Sequence, residues 1–355
     1  MASSTPPEAP ARSPVKLAIN ITVGIAFSAF FVWLVVRGVD WSRFRAELST
    51  MEPAFLAAYF GLLSVAHWLR LVRWGVTIRA LAPVAWPRIL AVGAVGMMAI
   101  FALPARLGEL ARPLLISEDP RVNFGSATAT VIVERILDGL SMSAILFVTV
   151  LLLDANQVPR EFLVSGYVAA GVFGSASVGL FLAAISFRWL RSPLDSLLGR
   201  FSRPLADKVI GLIGGFFDAL RLISAPRVAL TYLVMTLAIW SLSGVGIWVL
   251  FQAFPGSTGD LPLIAAYTTL SVIVVGIMIP AGPGTVGVFH WAVVFALGMF
   301  AVDESAGLLF ATTIHLLIAL INFVWGVIGG LAGRISVADA LKRPPPQAAP
   351  HSQGA

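Results

Sequence analysis

The sequence predicts an all-α polytopic membrane protein, and three observations carry that prediction. Of its 355 residues 58% are hydrophobic and 12% charged, with a mean hydropathy of +0.90; soluble domains carry about 25% charged residues. Runs at 17–36, 53–69, 125–153, 162–187, 228–254, 261–279 and 306–332 are near or above the roughly 18 apolar residues that a membrane crossing needs. Two further stretches, 89–118 and 262–300, are interrupted halfway by Pro and Gly. The expected architecture is about six full transmembrane helices plus two broken or re-entrant helical hairpins, or eight spans if the hairpins are counted as crossings.

Taken in order, residues 1–15 are rich in Ser, Thr and Pro and read as a disordered tail, as does the Pro-rich 343–355. The run 17–36 ends V-V-R-G-V-D-W without a small-residue cleavage pattern, so it reads as a retained first helix. Arg70, Arg73 and Trp74 read as the interfacial end of a long second helix. The basic, Pro-broken stretch 188–227 has apolar residues at helical spacing and reads as an interfacial segment.

The placement of Lys and Arg selects the topology. If 89–118 and 262–300 each crossed once, basic residues would divide almost evenly between the two sides. If each is a hairpin that returns to its own side, seventeen fall inside and four outside, while Arg106, Arg112 and Arg135 lie within the membrane. The second topology obeys the positive-inside rule and puts both termini in the cytoplasm. The first hairpin's arms, 89–103 and 107–117, extend only about 22 and 16 Å as helix against a core of about 30 Å, so it cannot span. The second, with arms of about 25–27 Å, is either re-entrant or a pair of short spans.

With three full crossings per unit, this topology makes 16–153 and 162–333 two inverted repeats. Their tips both follow apolar-Pro-Ala-x-x-Gly-x-apolar, Leu103–Leu110 against Ile279–Val286. Inverted repeats whose broken helices meet near the midplane are a transporter architecture.

Polar chemistry concentrates at three places. Arg106, Glu109 and Arg112 follow Pro104 at i, i+3, i+6, with Gly108 among them. Planar guanidinium forks beside free helix N–H groups suit a phosphate; alternatively the three charges neutralise one another and orient the break. Glu134 and Asp138 share a helix face beside Arg135, so a carboxylate needs a partner from elsewhere, with Arg112 or Arg106 available, or else takes up a proton. The second tip carries Pro280, Gly282, Gly284 and His290 but no charge; His290 and His315 are proton carriers or packing residues. Asn322 reads as interhelical glue. With no cysteine and four scattered histidines, neither a thiolate nor a metal cluster is expected, and no cofactor is implied. The basic residues flank apolar runs rather than forming one face, which argues against nucleic acid as a partner.

The runs L-P-A-R-L-G-E-L-A-R-P-L-L-I (103–116), A-T-A-T-V-I-V-E-R-I-L-D-G-L (127–140) and I-P-A-G-P-G-T-V-G-V-F-H-W (279–291) resemble the lysylphosphatidylglycerol synthase transmembrane-domain family, also called flippase-like or UPF0104. The resemblance covers nearly the whole chain. It implies that Gly108, Glu109, Arg112, Glu134, Arg135 and Asp138 occupy the family's polar positions and that Pro280, Gly282 and Gly284 form its second motif. The family's synthases add a C-terminal aminoacyl-transferase domain; the sequence here carries none, so lysyl transfer is not expected. The resulting expectation is a bacterial inner-membrane protein, not an enzyme, that moves an anionic lipid or lipid-linked intermediate between leaflets. Arg106, Gly108, Glu109 and Arg112 would serve the headgroup, with Glu109 holding the arginines apart, and Glu134, Arg135 and Asp138 would provide coupling. The competing expectation is a non-catalytic membrane partner of a lipid or glycan synthase.

Overall fold

A computed structural model describes residues 41–103, 108–153, 225–277 and 283–335, together with isolated positions between 160 and 217. Among the described residues the chain is helical, without strands. In order come α1 (Trp41–Thr50), α2 (Pro53–Leu81), α3 (Trp86–Ala102), α4 (Ala111–Ile116), α5 (Phe124–Leu152), α6 (Pro226–Phe251), α7 (Leu263–Gly276), α8 (Val288–Gly298) and α9 (Glu304–Gly333).

Four of these, α2, α5, α6 and α9, are long and apolar enough to cross a membrane. Their ends follow from local chemistry. Prolines open α2, α3 and α6, where the missing N–H would be unpaired anyway. The Asn123 side chain accepts from the N–H groups of Gly125 and Ser126 at the start of α5, and Asp303 does the same for Ser305 at the start of α9. The expected runs 17–36 and, for the most part, 162–187 lie outside the described residues, as do both tails and almost all of 188–227.

Helix α2 departs from expectation. It continues for 29 residues to Leu81, about 43 Å, rather than leaving the bilayer near Leu69. Arg73 and Trp74 are packed inside the bundle there: both are 0% exposed. Trp74 and Ile78 pack with Ile89, Val92, Leu115 and Ala127 of α3, α4 and α5.

The stretch 86–116 is a hairpin. The helix α3 ends at Ala102, a short 3-10 turn occupies 108–110, and six-residue α4 completes the return. Its base is closed by Arg88, which meets Glu118 at 2.6 Å and donates to the Leu115 carbonyl, and by Arg121, which donates to the Pro83 carbonyl at 3.0 Å. The seam between α3 and α9 consists of small residues: Gly326 against Met98, and Gly329 and Gly333 against Ala91 and Ala94. These contacts run α9 antiparallel to α3. Helix α6 is likewise antiparallel to α2, with Gly246 beside Tyr59 and Thr236 beside Arg73.

The second broken stretch places α7 and α8 on either side of a 3-10 turn at Pro283–Thr285. Its base lies at the opposite end of the bundle, where Ser257 donates to Glu47 and the Glu52 N–H to the Ala253 carbonyl. The two hairpins thus open on opposite faces. The order long helix, hairpin, long helix occurs twice among the described residues.

Candidate functional site

Two buried arginines from different elements converge on α5. Arg73 of α2 grips Asp138 with both Nη atoms, at 2.7 and 2.9 Å, and its Nη1 also donates to the Thr236 hydroxyl of α6 at 2.9 Å. Its guanidinium lies 4.8 Å from the Tyr232 ring centre. Arg112, on the returning arm of the first hairpin, donates to Glu134 at 2.9 and 3.3 Å and packs over the Trp74 ring at 5.4 Å. Glu134 is shared, because Arg73 also reaches it at 3.6 Å. Arg73, Arg112 and Glu134 are no more than 2% exposed.

The spacing on α5 explains this arrangement. Glu134 and Asp138, one turn apart, present two carboxylates to the interior, and burying them requires two cations. Arg135 supplies neither; it points to the other side and lies 3.4 Å from Glu109. Glu109 thus meets Arg135 while Arg112 meets Glu134, so the two hairpin residues engage different charges on α5. Gly108 permits the turn at 108–110, because a Cβ there would collide with the backbone of Ala99 and Ile100. Pro104 and Arg106 lie outside the described residues.

Once these pairs are made, donors are left over. Nε of Arg73, Nε of Arg112 and the Tyr232 hydroxyl are buried without a hydrogen-bond partner among the described residues. The cluster is neutral in formal charge but rich in N–H and O–H groups.

The second break lies against the end of α3. Gly284 has φ +67°, Thr285 +55° and Gly287 +92°, so the chain is unwound there rather than bent. A Cβ on Gly284 would come within 3.2 Å of the Phe101 ring, one residue before α3 ends. Around this contact the rings of His290 and His315 stand 5.0 Å apart, with Phe289 4.7 Å and Phe101 5.3 Å from His315. Asn322 donates to the Ile318 carbonyl of its own helix, so that bond stays within α9. Pro280 and Gly282 lie outside the described residues. Sequence reasoning missed Arg73, whose neighbours Arg70 and Arg79 disguise it as part of a loop-flanking basic group. It also missed the pairing of His290 with His315, 25 positions apart, for which no local signal exists. Among the described residues no group of three metal-binding side chains occurs.

The family described as Lysylphosphatidylglycerol synthase TM region matches residues 21–326. The chain belongs to this family. Among curated proteins it is 25% identical over 357 aligned positions to the Glycosyltransferase AglD of Haloferax volcanii, which covers 93% of this chain and 57% of that protein. It is 24% identical over 247 positions to the UPF0104 membrane protein MJ1078 of Methanocaldococcus jannaschii, covering 68% of this chain and 95% of the relative. The chain thus spans little more than half the length of AglD. No solved structure matches. Family and helices together place the protein in a membrane.

Proposed function

We propose that this family member carries an anionic lipid or lipid-linked intermediate between the leaflets of a bacterial inner membrane, with both termini cytoplasmic. The observation behind the proposal is the meeting of two half-depth helix breaks, entering from opposite faces, at Phe101 and Gly284, beside a buried cluster with spare donors. Such a junction between inverted repeats, here 16–153 and 162–333, is where transporters bind substrate. Arg106 and Arg112 would contact the headgroup phosphate, with Gly108 allowing close approach and Glu109 holding the arginines apart, facing Pro280, Gly282, Gly284 and His290 across the junction.

Arg112 is held by Glu134 in this conformation, so it serves a phosphate only by exchanging one acceptor for another. That exchange is the coupling step. A phosphate on Arg112 leaves Glu134 to the more distant Arg73, and the strain is shared with Asp138 and with the Arg135–Glu109 pair. Rocking of the repeats about the junction would then alternate access.

The test is a flip assay in proteoliposomes with a short-chain fluorescent anionic lipid, comparing the parent with Arg112→Ala. The parent should flip the lipid, and the variant should be slower by about tenfold or more, the worth of one lost charge-assisted hydrogen bond. Equal rates would sink the site assignment, and a parent no faster than empty vesicles would sink the function.

A second reading is a membrane partner of a lipid- or glycan-synthesising enzyme. The relative named a glycosyltransferase favours it, because the match covers only 57% of that protein. Copurification of an enzymatic partner with a parent that fails to flip lipid would support this second reading.

A further inference from the structure

At the far end of α6, on the face where the second hairpin opens, a cavity of about 470 Å³ lies between that helix and the start of α7. Its size is within the roughly 300–1,000 Å³ of small-molecule sites. Its walls are Val245, Leu261 and Leu263, and its polar groups come from Trp248, Gln252 and Asp260. None of these three side chains has a hydrogen-bond or ionic partner among the described residues, and Trp248 is 39% exposed.

The floor is fixed before any ligand arrives. The Phe254 carbonyl accepts from the N–H groups of Ser257, Thr258 and Gly259, while the Thr258 hydroxyl donates to the Phe251 carbonyl at 2.8 Å. A Cβ on Gly259 would lie 2.9 Å from the Pro255 Cα, so the loop closes tightly only with glycine there. The backbone leading to Asp260 is therefore held in place, and the polar groups of Trp248, Gln252 and Asp260 stay open above it.

The donor and acceptor inventory names the ligand. An indole offers one N–H and an aromatic face, an amide offers both a donor and an acceptor, and a carboxylate only accepts. No Lys or Arg lines the cavity, so a phosphate would meet Asp260 without compensation. A neutral polyol has the converse profile: hydroxyls that donate to Asp260 and exchange bonds with Gln252, and an apolar C–H face that stacks on Trp248. We infer that this cavity binds a sugar or similar neutral polyol, either free or as the headgroup of a membrane lipid. The inference is independent of the transport reading, because the cavity lies at the far face, away from the junction.

The experiment is a fluorescence titration in nanodiscs of phosphatidylcholine, prepared without glycosidic detergent. Emission of the parent is compared with that of Trp248→Phe, so that the difference isolates one indole among ten. The probes are methyl glucoside, a monoglucosyl diacylglycerol doped into the disc, and phosphatidic acid as the anionic control. Saturable change in the difference signal with glucoside alone identifies a free sugar; change only with the glycolipid identifies a headgroup. In either case Asp260→Asn should weaken the response about tenfold while leaving the thermal unfolding profile unchanged, since Asp260 is exposed. No response to either sugar probe, or an equal response to phosphatidic acid, overturns the inference.

Discussion

Replacing Arg73 with Met should strand Asp138. In the parent, Asp138 receives both Nη atoms of Arg73, and Glu134 is held mainly by Arg112. The substitution therefore leaves one carboxylate uncompensated in the bundle interior and the other still paired. Breaking a buried pair from one side costs about 3–5 kcal/mol, a factor of a hundred to several thousand in the folding equilibrium. Removing both charges in Arg73→Met/Asp138→Leu relieves the stranded carboxylate, and such replacements are often neutral or better. The double variant should thus be more stable than Arg73→Met alone, with a coupling of at least about 2 kcal/mol. Equilibrium unfolding in mixed micelles titrated with dodecyl sulfate and followed by circular dichroism at pH 8 measures all three. Arg73→Met within about 1 kcal/mol of the parent, the worth of an exposed ion pair, would refute the reasoning. A double variant less stable than the single one would do the same.

Other expectations are more local. Glu118→Gln, which removes the half-exposed partner of Arg88, should change stability by no more than about 1 kcal/mol in the same assay, because solvent screens that pair. Gly284→Ala should cost about 1–2 kcal/mol from its left-handed backbone alone, and adding Phe101→Leu should not restore the loss, since relieving the ring contact leaves φ unchanged. Gly108→Ala should be far worse and prevent accumulation of folded protein, because its Cβ meets backbone that cannot move aside; the yield of monodisperse material checks this. In the loop outside the bundle, hydrogen bonding from Arg121 lowers the pKa of Asp119. A depressed folded-state pKa stabilises above the unfolded-state value and is lost as pH falls through the folded one. An NMR titration of the Asp119 carboxyl should give a midpoint below that of Arg121→Gln; identical midpoints would show that the pair does not form.

Much of the fold was legible because hydrophobic length and charge placement are long-range averages. The hairpin expected over 89–118 followed from a basic-residue bias, and the structure folds 86–116 back on itself with Arg88 pairing Glu118 at its base. The site was legible only as a need. Glu134 and Asp138 one turn apart announce that two cations must come from somewhere, and Arg112 was visible as one. The other came from α2, because a helix can extend past its apolar run when its charged turn packs against other helices instead of reaching water. Arg73 looks like Arg70 or Arg79 in sequence; only the position of α5 and α6 separates them. Positive φ at Thr285, a non-glycine residue, was equally invisible, since nothing in the residue type signals it.

The uneven attachment of the two hairpins has a consequence of its own. The returning arm α4 is fastened by charge, through Arg112, whereas no Asp, Glu, Lys or Arg occurs anywhere from 261 to 302. Contacts between ions in a dry interior are short-ranged and directional, so a small displacement forfeits them at once; contacts among rings and small apolar residues fade gradually. The first hairpin should therefore behave as a latch with two positions and the second as a spring with many. Deuterium uptake should distinguish them, with amides of 288–298 exchanging sooner and over a broader range of rates than those of 111–116.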